Sequence, residues 1–194
     1  MVTTSRTSQT ASTGENGCAP ATPRSTLRLL GGFELRQGDR TIDVPTGSQH
    51  LVAYLALRDR PTRRAHVAGT LWIDKSEDRA CANLRSALWR LRRAAPDIID
   101  DSGDTIEIST TVNVDYWHHF AWTGRVLNGL GLSDELCPDP DEHWLSSELL
   151  PDWYDDWVIM ERERMRQRML HALEALVGHL AQRRDYHRAI DIGL

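Results

Sequence analysis

Eight residues between Glu77 and Ala95, in the stretch EDRACANLRSALWRLRRAA, have side chains suited to gripping nucleic acid: Arg79, Asn83, Arg85, Ser86, Trp89, Arg90, Arg92 and Arg93. A guanidinium group takes a phosphate or a guanine edge through two parallel hydrogen bonds, and Asn or Ser reaches base edges from a helix lying in a major groove. Such chemistry needs one face of a rigid element. Leu84, Leu88, Leu91 and Ala95 recur at helical spacing and join Ala80 and Ala87 in a single apolar stripe, so the stretch reads as one amphipathic helix. At about 100° per residue, Arg79, Ala82, Ser86, Trp89, Arg90 and Arg93 fall on the opposite side, with Asn83, Arg85 and Arg92 on its flanks. Arg85 and Arg92 lie nearer the core edge, where phosphate contacts and ion pairs are both open to them. Trp89 is either a DNA contact or a packing residue against the hairpin or the next domain. A solvated basic face on an ordinary core helix would look the same, and the neighbouring elements must decide.

Those neighbours come in a telling order. LRLLGGFEL (Leu27 to Leu35) and TIDV (Thr41 to Val44) alternate apolar and polar residues around a turn at Gly38, which predicts a hairpin. SQHLVAYLAL (Ser48 to Leu57) predicts a short helix with Ser48 as N-cap, broken at Arg58 to Pro61. Thr62 is placed to cap a second helix, RRAHVAGTLW, packed through Val67, Leu71 and Trp72. Ser76 then caps the basic helix, with Glu77 and Asp78 favourably placed in its first turn. After Pro96 the period shortens to two, and DIIDD and TIEI predict strands about the turn Ser102-Gly103-Asp104. Strands, three helices and a hairpin directly behind the basic helix spell a winged helix. Its wing is acidic at Asp97, Asp100, Asp101, Asp104 and Glu107, so the wing tip is expected to stand off the phosphate backbone.

The net charge of −5 over 194 residues conceals an asymmetry. Residues 24–95 carry 14 basic against 7 acidic side chains, residues 96–160 carry 1 against 15, and residues 161–194 carry 7 against 5. A basic first half therefore adjoins a strongly acidic middle. Hydrophobic content of 40% with seven Trp predicts a folded chain of one large or two small domains. The opening residues are rich in Ser and Thr and lack the apolar run of a secretory leader, so residues 1–24 are expected to be a disordered tail. No apolar run is long enough for a membrane span. Cys18, Cys81 and Cys137 form no CxxC pair and are expected as reduced thiols in a cytoplasmic protein.

An enzyme finds little support. There is no G-x-G-x-x-G, no G-x-x-x-x-G-K-[ST] and no G-x-S-x-G, so neither catalytic residues nor a cofactor are expected. Asp100-Asp101 and Asp155-Asp156 are adjacent carboxylates that point apart. No metal site is expected either, because His118 and His119 are adjacent, partly exposed residues and Cys137, Asp141 and His143 match no zinc spacing.

From Val112 a second, helical domain is expected over residues 112–194, after a winged-helix domain over 25–111. Pro151 is placed for the first turn of a long helix with Met165, Met169, Leu173, Leu176 and Leu180 inward. Arg162, Arg164, Arg166 and Arg168 are expected to be solvated and bridged to Glu161 and Glu163. A following helix, DYHRAIDIGL, is predicted to turn Tyr186, Ala189 and Ile190 inward, like half of a tetratricopeptide-like unit. The fold class is thus mainly α with small β-sheets, a winged helix-turn-helix followed by a tetratricopeptide-like helical domain. A single helix pair cannot bury both its faces, so the second domain is expected to be incomplete, to fold back differently or to pack on a partner chain.

NLRSALWRLRR, the preceding LW-x-D-x-SEDRA and the opening LRLLGGFEL resemble the SARP family of bacterial antibiotic-cluster activators. ELLPDWYDDWVIMERERMRQRMLHALEAL (Glu148 to Leu176) is similar to the start of that family's bacterial transcriptional activator domain. The resemblance implies an OmpR-like winged helix whose third helix enters the major groove of promoter direct repeats. It further implies double-stranded promoter DNA and RNA polymerase holoenzyme as partners, with a homodimer on DNA as one arrangement. A different class of reading keeps the basic helix structural and makes the acidic, helical second half a protein-interaction adaptor.

Overall fold

The computed structural model describes residues 25–129 and 147–193. Two turns set how it begins. β1 (Ser25–Arg28) and β2 (Glu34–Gln37) pair antiparallel with Leu27 opposite Leu35, and β3 (Arg40–Thr41) returns along β2. Gly38, at φ 57°, makes the later turn as its sequence position predicts. LRLLGGFEL, however, is not one strand: Gly31 (φ 81°) and Gly32 (φ 140°) take conformations that favour glycine and fold it into two. The fourth strand comes from far along the chain. β7 (Val112–Val114) lies parallel to β1 with Ser25 opposite Val112, giving the sheet order β3-β2-β1-β7.

α1 (Thr46–Arg58), α2 (Arg64–Leu71) and α3 (Glu77–Ala94) share one apolar core with this sheet. Ser48 is not the N-cap of α1, which Pro45 occupies. Its hydroxyl is buried inside the helix and donates to the Ala87 carbonyl of α3 at 3.0 Å, a tertiary tie that a local capping rule cannot see. Thr62 likewise caps nothing; with Arg63 it forms β4 (Thr62–Arg63), and its hydroxyl donates to the Arg60 carbonyl. Ser76 does stand at the N-cap of α3, though its side chain makes no capping hydrogen bond. β5 (Ile99–Ser102) and β6 (Thr105–Ile108) form the expected hairpin about Gly103, and β4 adds to it in the order β4-β6-β5.

α4 (Asp115–Leu127) follows β7 at once. The Asp115 carboxylate accepts the backbone amides of Leu29 and Leu30 at 2.9 to 3.0 Å and that of Tyr116 at 2.7 Å, so the end of β1 keeps no unmet donors there. Past the undescribed stretch, Leu149 bridges Leu30, the Leu150 amide donates to the Leu29 carbonyl and the Gly31 amide to the Glu148 carbonyl. That anchorage delays α5, which runs Asp156–Gln182 rather than starting at Pro151; Pro151 sits in a turn before it. α6 (Tyr186–Gly193) packs back on α5. One apolar cluster joins Leu27, Leu51, Leu88 and Ile106 to Leu149, Val158 and Met165; a second joins Trp122 and Val126 to Met169, Leu176, Leu180 and Ala189.

Several expectations for this half need correction. His119 is fully buried rather than partly exposed, because α4 turns it toward α5 while His118 stays outside. In α6 only Ala189 is buried; Tyr186 and Ile190 are each 58% exposed, since no described element packs on that side. No helix of the described residues is long and apolar enough to cross a membrane. The tail over 1–24 and the residues Cys137, Asp141 and His143 lie outside the described residues.

Candidate nucleic-acid interface

α3 divides cleanly into two sides. Ala80, Leu84, Ala87, Leu88, Leu91 and, just past its end, Ala95 are all buried, at 1 to 3% exposure. Burying a leucine contributes about 1.5–3 kcal/mol, so this stripe fixes the helix's rotation and thereby what it turns outward. Arg79, Arg85, Ser86, Trp89, Arg90, Arg92 and Arg93 are exposed, and Asn83 is half-buried.

These eight residues do not share one role. Among the described residues Arg79, Arg85 and Arg90 have no ion-pair partner, so their charge is available to an incoming anion. Trp89 is 58% exposed and carries the Arg93 guanidinium over its ring, 4.9 Å from the centroid. The contact is worth about 0.5–1 kcal/mol at an exposed site, enough to bias the orientation of Arg93. Trp89 thus packs against its own helix, not against the hairpin. The Ser86 hydroxyl donates to the Ala82 carbonyl at 3.0 Å, which leaves it an acceptor toward solvent. Arg92 is spent on an ion pair with Asp101 of β5.

By sequence Asp101 belongs with the wing acids that repel phosphate. Instead its carboxylate lies between Arg92 and Arg64, the latter 2.8 Å away through Nη1. Desolvation pushes this carboxyl up, but the hydrogen bonds and charges of Arg64 and Arg92 outweigh it and hold it below the ordinary value. Arg64 was missed because its partner is 37 residues away and no local spacing links them. Asp97, Asp100 and Asp104 remain exposed, so the wing keeps an acidic surface.

A winged helix with an exposed, arginine-bearing third helix, followed by a helical segment, is the class of protein that fold and site define. A solved structure of this architecture is similar to the chain: Mycobacterium tuberculosis EmbR in complex with a low affinity phosphopeptide, with a TM-score of 0.54 at 16% identity. The match covers 84% of this chain and 51% of that one, so the chain spans about half the length of EmbR. At this identity the likeness is one of fold. No protein-family model matches the chain, and no curated protein matches it.

Proposed function

We propose that the chain is a sequence-specific DNA-binding transcriptional regulator whose α3 lies in the major groove. The observation that carries this reading is the split of α3, with its apolar stripe fully buried and Arg79, Arg85, Arg90 and the Trp89–Arg93 pair facing solvent. Arginines held outward by a rigid core supply both phosphate and base contacts. In its finer form the protein is an activator of a biosynthetic gene cluster. It binds promoter direct repeats as a homodimer and engages RNA polymerase holoenzyme, in keeping with the SARP resemblance of residues 83–93 and 148–176. It works in the cytoplasm, and no catalytic step is assigned to it.

Selection of the full chain on random duplexes tests the reading. An enriched sequence with repeated half-sites is expected. Affinity for it should fall steeply between about 50 and about 200 mM salt, as for on the order of five neutralised phosphates. Failure to enrich any sequence, with a flat salt dependence, refutes it. That result favours an adaptor docking partners on the second half, a reading supported by the exposed Tyr186 and Ile190 of α6.

A further inference from the structure

The Asp101 carboxylate sits where three elements meet. Arg64, the first residue of α2, places Nη1 2.8 Å from both of its oxygens, and Arg92, in the last turn of α3, donates Nη2 to Oδ2. The side chain of Asp101 is 16% exposed, that of Arg64 28% and that of Arg92 51%. Backbone bonds fix the same junction: the Arg64 amide donates to the Asp104 carbonyl at 2.9 Å, and β4 pairs with β6. The wing is therefore tied to the start of α2 through its backbone and to the end of α3 through one carboxylate.

This arrangement changes what Arg92 can offer. A phosphate brought to its guanidinium is brought nearly as close to Asp101, and repulsion offsets the attraction. Arg90 and Arg93, in the same stretch, carry no such partner among the described residues. We infer that Asp101 is a brace that keeps Arg92 out of the phosphate-binding set and fixes the wing against the end of α3. The inference rests on the DNA-binding reading above. Holding back one sequence-independent cation lowers affinity for every duplex alike and leaves discrimination to the residues that reach bases.

The experiment compares the full chain with D101N and R92Q, on the enriched duplex and on a scrambled one, across a salt series. D101N frees Arg92 and removes a negative charge. It should tighten binding to the scrambled duplex by about three- to ten-fold and steepen its salt slope by about one. Binding to the enriched duplex should tighten by the same factor, so that the preference between the two is unchanged. R92Q should stay within about two-fold of the parent on both duplexes. Loss of binding by R92Q on both, with a slope shallower by about one, overturns the inference and makes Arg92 a phosphate ligand. An unchanged slope in a folded D101N also overturns it. Should D101N lose its cooperative melt, R92Q decides alone. A parent chain that binds no duplex defeats the DNA reading and the brace together, whereas a parent that binds beside an R92Q that does not defeats only the brace.

Discussion

Five arginines lie in α3 and four in α5, on two long amphipathic helices, and the two sets are used in opposite ways. In α5 every arginine is engaged within the protein. Arg162 donates to the carbonyls of Leu149, Leu150 and Trp153 and pairs with Glu148 at 3.0 Å. Arg168 donates to the Thr123 hydroxyl at 2.8 Å and lies over the Phe120 ring, in space that the missing side chain of Gly124 leaves open. Arg164 and Arg166 pair with Glu161 and Glu163 one turn back. In α3 no acidic residue occurs between Arg79 and Pro96, and among the described residues only Arg92 finds an ion-pair partner, across the fold. The number of arginines does not tell a nucleic-acid face from a structural one; the spacing of acids around them does.

The contrast breaks most readily by emptying α3. Replacing Arg90 and Arg93 together with Ala should weaken binding to the enriched duplex by about 100-fold or more, at about 1–3 kcal/mol for each lost bidentate contact, with the thermal midpoint unchanged. A gel-shift titration checks it, and retained affinity removes α3 from the interface. Next comes the packing of α4 on α5. Burial first, and the Arg168 charge second, hold the His119 imidazole down at about 4 against an ordinary 6.5. Its folded value lies below its unfolded one, so the unfolded chain takes up the proton first on acidification. The neutral imidazole's contribution is whole above pH 6.5 and is lost as pH falls toward 4, up to about 3 kcal/mol. Urea unfolding across that window, with H119Q as the variant that flattens the slope, measures it.

Smaller effects sharpen the same comparison. R162A removes one donor from each of three carbonyls and should cost about 2 kcal/mol in urea unfolding. W89A frees Arg93 and should weaken DNA binding by about two- to five-fold without moving the melting midpoint. The change R166A, on the exposed Arg166–Glu163 pair of α5, should alter neither binding nor the unfolding midpoint. A loss of DNA affinity there would show that α5 also presents charge to the duplex.

How far the sequence carried this picture depended on the range of the interaction concerned. The α3 stripe was readable because Leu84, Leu88 and Leu91 obey one helical period over about two turns, and the wing because Gly103 marks its turn. Ser48 and Thr62 were misread because capping rules look three residues ahead, whereas the Ser48 partner is 39 residues away and Thr62 joins a strand opposite Ile106. The same limit hid the Arg64–Asp101 pair and the carbonyls that draw Arg162 inward. In α6 the period was right and the burial wrong, since Tyr186 and Ile190 have the spacing of an inward face but stay largely exposed.

Pairing Ser25 with Val112 and Leu30 with Leu149 also sets the order of events during synthesis. Among the described strands β1 leaves the ribosome first, and it must wait until Val112–Val114 is made before both its edges are covered. At about 5–20 residues per second that wait is on the order of ten seconds. Throughout it β1 presents an open edge to any nascent neighbour. A fragment cut just after the wing would keep that edge for good, and should aggregate rather than serve as a minimal DNA-binding piece.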